Sequence, residues 1–243
     1  MIDVDSVSVA DLEKDPYPIY AELRRMAPAV YMPCLDVWMI VRHAGVTEAA
    51  TDPEAFPAHV ERSPTDRALG GVSMMTTDGD PAKERRRPFD GTFRPRAVEA
   101  SMPDVFDALC GRLLDDLGSA GRAELVSEYF EPLSLLALAH AMEIDDLVDV
   151  PTLRRWFGGL AAGVSNYEDD PEKTAFCDSV SAEIDQTLRP RFEKAHAEPD
   201  ESLLSRLVQG VEGDLDERIE WAMPSLNLVL LGDLHTPAQG GAP

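Results

Sequence analysis

The chain has little of what would crosslink a protein, anchor it in a membrane or draw it to a polyanion. It carries three cysteines, Cys34, Cys110 and Cys177. They are odd in number, widely spaced and without a Cys-x-x-Cys pair, which points away from a disulfide framework and from a zinc site. That usage fits a reducing cytosol. No stretch reaches the roughly 18 continuous apolar residues of a membrane span. The start Met1-Ile-Asp-Val-Asp-Ser has neither the basic flank nor the apolar run of a secretory signal. Positive charge is scarce: 22 Lys and Arg stand against 45 Asp and Glu, a net charge of −23. Neither nucleic acid nor a membrane is therefore expected as a partner, and the expectation is a cytoplasmic protein with a solvated acidic shell. There is no internal repeat and no break in composition that would mark a second domain.

What the sequence does have is helical periodicity, with 44% apolar residues over 243 positions to supply a core. Apolar residues recur at three- and four-residue spacing through most of the chain, so the fold class is mainly α. Asp15-Pro16 opens a helix with Ile19, Leu23 and Met26 on one face, stopped by Pro28. Val30 to Met32 and Trp38 to Val41, either side of Leu35-Asp36, predict a small β-hairpin near 30–41. A short helix follows over Val46 to Thr51. Residues 53–79, with several Pro, Gly and Ser, read as a long loop. Helices are expected around Pro81 to Phe89 and from Arg96 to Leu117, with Pro103 setting off the start of the second. Leu133, Leu135, Leu136, Leu138 and Ala139 cover every face of a helix ending at Met142, which predicts a central, buried element. Pairs of helical segments at 151–164 and 171–197, then 202–208 and 214–234, complete the chain.

One segment concentrates potential chemistry: Thr76-Thr-Asp-Gly-Asp-Pro-Ala-Lys-Glu-Arg-Arg-Arg-Pro-Phe-Asp-Gly-Thr-Phe-Arg-Pro-Arg-Ala-Val-Glu. On a helix, Ala82 and Arg86 share a face, as do Lys83 and Arg87, so cations are gathered in a small area suited to carboxylates or phosphates. Spacing alone leaves two readings open, such a site or a solvated basic face on an acidic protein.

The segment resembles the C-helix region of the cytochrome P-450 superfamily, where an acidic stretch leads into His-x-x-x-Arg-Arg and then Phe-x-Pro. The resemblance implies that Arg86 binds a haem propionate. Ala82 stands where the family usually has His, and Lys83 next to it is a substitute donor. Asp15-Pro-Tyr-Pro-Ile-Tyr-Ala-Glu-Leu-Arg is similar to the family's A helix, and Val37-Trp-Met-Ile-Val-Arg-His to its second strand. Leu226-Asn-Leu-Val-Leu-Leu-Gly-Asp-Leu-His-Thr-Pro resembles the start of the I helix, where Ala-Gly-x-Asp/Glu-Thr crosses the distal haem face. Gly232 then takes the Ala position, Asp233 the Gly, and His235 and Thr236 the proton-delivery pair. The residue-level alternative for His235 and Thr236 is an ordinary helix end before Pro237.

The resemblance covers nearly the whole chain, as helices A to the start of I, and implies residues 1–243 to be one incomplete domain, the N-terminal half of the fold. The family's cysteine ligand sits in a Phe-x-x-Gly-x-x-x-Cys loop that no cysteine here matches. That soft thiolate is what favours O–O cleavage. The implied whole protein holds haem b, takes electrons from a ferredoxin or flavoprotein reductase and oxidises a small apolar organic substrate. This chain alone is expected to be inactive, without stably bound haem. The alternative is a haem-free auxiliary relative that binds and activates a partner enzyme.

Overall fold

A computed structural model describes residues 2–118 and 121–240, with side chains as far as Gly232. After a 3-10 turn at Val4–Ser6, the elements are α1 (Val9–Lys14), α2 (Pro16–Met26), β1 (Ala29–Met32), β2 (Val37–Ile40), α3 (His43–Thr51) and α4 (Pro64–Leu69). There follow α5 (Gly79–Phe93), α6 (Pro95–Ser101), α7 (Pro103–Gly118), a π-helical turn at Val126–Phe130, and α8 (Glu131–Ala141). The last four helices are α9 (Val150–Val164), α10 (Pro171–Ala197), α11 (Leu203–Gln209) and α12 (Leu215–Gly240). The mainly α class and the hairpin expected from the sequence are both present.

The N-terminal elements form a small core of their own. Asp15 caps α2 by accepting from the Tyr17 backbone N–H, and Pro16 supplies a helical φ at the first position. Ile19 and Leu23 are buried against Val30 and Met32 of β1, while Met26 is exposed. β1 and β2 pair antiparallel, Tyr31 opposite Trp38, with the two rings 5.7 Å apart.

The main core lies between α8, α9, α10, α11 and α12, where Trp156, Leu160, Ile184, Leu188, Phe192, Leu226 and Leu230 are fully buried. α9 and α10 approach closely because α9 offers glycine. A Cβ on Gly159 would stand 2.5 Å from Val180, and one on Gly163 would stand 2.4 Å from the Cys177 sulfur and 2.8 Å from Ala68. α8 is central as its composition predicts, but Leu133 and Leu136 are only half-buried while Leu135, Leu138 and Ala139 are covered.

Residues 53–79 are not a plain loop. They contain α4, whose Ala68 and Leu69 are buried, and a packed turn with Ser73 and Thr76 buried. The Ser63 side chain accepts from Asp66 N–H, Pro64 opens the helix, and Gly70 closes it at φ 85°. Asn227 of α12 donates to the Leu69 carbonyl at 3.2 Å and ties α4 down. α1 is likewise a helix that apolar periodicity misses. It rests on a capping box between Ser8 and Asp11. No helix among the described residues is long and apolar enough to cross a membrane.

Candidate functional site

α5 carries the basic run, and two contacts hold it in place. Pro88 inside the helix removes one backbone donor. Just there, the Arg206 side chain of α11 donates to the Pro88 carbonyl at 2.8 Å, to Thr92 Oγ1 at 2.6 Å, and to the Glu201 carbonyl. At the other contact, Arg85 Nη1 donates to the Trp221 carbonyl of α12 at 2.8 Å, with the guanidinium 5.2 Å from the centroid of the Trp221 ring. Burial holds the Arg85 pKa below the ordinary arginine value, and the nearby Asp66 charge opposes that shift.

Arg86, one residue on and about 100° further round the helix, has different surroundings. It is exposed, and among the described residues it makes no hydrogen bond or ion pair. It lines an open cavity of about 480 Å3 between α5 and α12. Phe89 and Phe93 come to that cavity from α5, Leu228, Val229 and Gly232 from α12, and Met74 from the segment before α5. Gly232 leaves the helix surface bare, since a Cβ there would meet nothing within 4 Å. Asp90 and Arg94 complete the rim as an ion pair of 2.7 Å, so their charges are matched to each other.

The structure thus brings together Arg86 and Gly232, residues 146 positions apart that the sequence reading assigns to one haem site. It does not bring Lys83 there. Lys83 does not line the cavity, and its ammonium group is 2.8 Å from Asp80, which holds its pKa up. Ala82 is half-buried on α5. His235 and Thr236 fall within α12, but their side chains lie outside the described residues, as does that of Asp233. None of Cys34, Cys110 and Cys177 lines the cavity. Sequence reasoning missed Phe89, Leu228 and Val229 as lining residues. The signal available for them was the four-residue step from Phe89 to Phe93 and from Leu228 to Gly232.

A second, larger cavity of about 540 Å3 lies on the other side of Phe93, between α6, α7 and α8. Arg206 in its wall is occupied by the three bonds above, and His140 at its rim faces Asp145 at 3.0 Å. It contains none of the site residues expected from the sequence.

No family model matches the chain. Individual relatives do. The chain is 26% identical to 6-deoxyerythronolide B hydroxylase of Saccharopolyspora erythraea over 92% of its length and 59% of the relative's. It is 28% identical to the cytochrome P450 monooxygenase PikC of Streptomyces venezuelae, over 84% of this chain and 49% of that one. Among solved structures, P450BioI in complex with an acyl carrier protein superposes with a TM-score of 0.75 at 17% identity, covering 93% of this chain and 59% of that one. CYP109E1 of Bacillus megaterium with testosterone gives 0.73 at 21% identity, covering 92% and 58%. By sequence the chain is similar to bacterial cytochromes P450, and its fold matches theirs over somewhat more than half of their length. It spans about half the length of the curated relatives it matches.

Proposed function

We propose that this chain forms the distal wall of a haem-thiolate monooxygenase, which inserts one oxygen atom of O2 into a small apolar organic substrate with electrons from a ferredoxin or a flavoprotein reductase. The observation that carries this reading is the guanidinium of Arg86, without a partner among the described residues, at the rim of an apolar cavity whose far wall is α12 at Gly232. The cavity has the volume of a small-molecule or cofactor site, typically about 300–1,000 Å3. Its chemistry suits a flat apolar ring with acidic edge groups. Arg86 supplies a planar fork that matches a carboxylate in two bonds. Phe89, Phe93, Leu228 and Val229 keep water from the ring edge, and the bare surface at Gly232 lets a flat face come close to the helix.

When bound, haem supplies the activation of O2. Arg86 orients a propionate, and His235 and Thr236, about one turn beyond Gly232 on α12, are the pair that moves protons to the reacting centre. Lys83 joins the anchor only if it leaves Asp80. Since no cysteine lines the cavity, the chain by itself is inactive, and any haem it holds lacks a thiolate ligand.

Equilibrium titration with hemin, followed by absorbance, tests the reading. A charge-assisted bond contributes about 1.5–3 kcal/mol, and exposure brings Arg86 to the lower end, so Arg86→Ala is expected to bind about tenfold more weakly. A reduced, carbon monoxide-treated sample is expected to lack the long-wavelength thiolate Soret band. Equal affinity of the two proteins overturns the reading. Ala82, in place of the usual His donor, favours the second reading of a haem-free auxiliary protein, which predicts no saturable hemin binding by either.

A further inference from the structure

Arg85, Arg86 and Arg87 look like one basic patch in the sequence, yet the fold gives them separate surroundings. Arg87 is exposed, Arg86 stands at the cavity with no ion pair among the described residues, and Arg85 is turned into α12. We propose that Arg85 is a positioning residue that sets the spacing of α5 and α12 and so presents Arg86 to the cavity, an inference that rests on the haem-edge reading of that cavity.

The geometry behind it is simple. Successive helical residues are turned by about 100°, so fixing the direction of Arg85 fixes the direction of Arg86. Arg85 is held twice by one residue, through a 2.8 Å bond to the Trp221 carbonyl and by lying 5.2 Å over its ring. Gly232 is about three turns further along α12 and on nearly the same face as Trp221. The two helices therefore touch at the Arg85–Trp221 contact and part around the cavity beyond it. Arg206 braces α5 at Pro88 and Thr92, within the stretch of the helix that lines the cavity. A shift at Arg85 consequently tilts the whole α5 segment that carries Arg86, Phe89 and Phe93.

The test is a hemin titration of the chain at low and at moderate salt, with melting temperatures measured alongside. A direct charge contact weakens with salt, whereas a geometric role leaves the salt dependence unchanged. Arg86→Ala is expected to lose affinity and to flatten the salt dependence. Arg85→Ala is expected to bind about fivefold to tenfold more weakly while keeping the wild-type salt dependence. Trp221→Phe, which keeps the carbonyl and an aromatic face, is expected to bind as the wild type. Arg85→Lys is expected not to rescue, because an ammonium group lacks the planar fork that bonds the carbonyl while lying on the ring.

If Arg85→Ala binds like the wild type while Arg86→Ala is weakened, the positioning role is wrong and the cavity reading stands. If Arg85→Ala flattens the salt dependence as Arg86→Ala does, Arg85 is itself a ligand and the inference falls. If Arg86→Ala is unchanged, the cavity reading fails and takes this inference with it. Should Arg85→Ala not fold, Arg85→Lys decides, since wild-type binding by the lysine variant overturns the proposal.

Discussion

At the scale of single residues, the neighbours of Arg86 would decide how well the proposed propionate is held. Ala82 precedes Arg86 by one helical turn on the same face and offers no donor. Ala82→His is expected to tighten hemin binding several-fold at a pH where the imidazole donates, measured by the same absorbance titration. The position of Arg86 was legible because its motif lies within one helix, where spacing dictates facing. The partnership of Arg85 with Trp221 was not, because it joins residues 136 apart and depends on how two helices pack. Cysteine reactivity also follows surroundings. Cys177 is buried, points its thiol at the Ala68 carbonyl, and has its pKa pushed up by burial. Cys34 and Cys110 are half-exposed. A thiol reagent is therefore expected to modify Cys34 and Cys110 in the native chain and Cys177 only on unfolding.

At the scale of elements, α9 shows how small residues set packing. Gly163→Ala would push a methyl group into Cys177 and Ala68, where no space exists. The expected cost is about 1–3 kcal/mol, seen as a lower melting temperature by circular dichroism. Caps explain what periodicity could not. α4 is too short to show a hydrophobic repeat, so its signal lay in Ser63-Pro64 and Gly70, within a segment whose Pro and Gly content reads as loop. α1 depends in the same way on Ser8 and Asp11. Longer helices such as α9 and α10 were legible because their repeats run for several turns. The Asp149 cap of α9 adds a pH dependence. Its side-chain bond with Thr152, then the Thr152 backbone N–H, hold its pKa below 3.8. A carboxylate with a lowered folded pKa stabilises above its unfolded value, and the effect is lost as pH falls through the folded one. Asp149→Ala is thus expected to lower the melting temperature at pH 7, and the difference should shrink as the pH falls below about 4.

For the whole molecule, a charge of −23 on 243 residues means that repulsion opposes compaction at neutral pH. Moderate salt is expected to raise the melting temperature, in contrast to a fold held mainly by surface ion pairs. The main core lies between α8 and α12, and both cavities open to solvent along α5, whose Phe93 lines each of them. On the proposed function, α5 and α12 together bind the haem edge. Hydrogen exchange of the chain with and without hemin tests it most directly, because it reports location as well as binding. New protection is expected in peptides covering Gly79–Phe93 and the part of α12 around Leu228 to Gly232. Protection confined to α6, α7 and α8 around the larger cavity, with none in α5 or α12, would contradict the proposal.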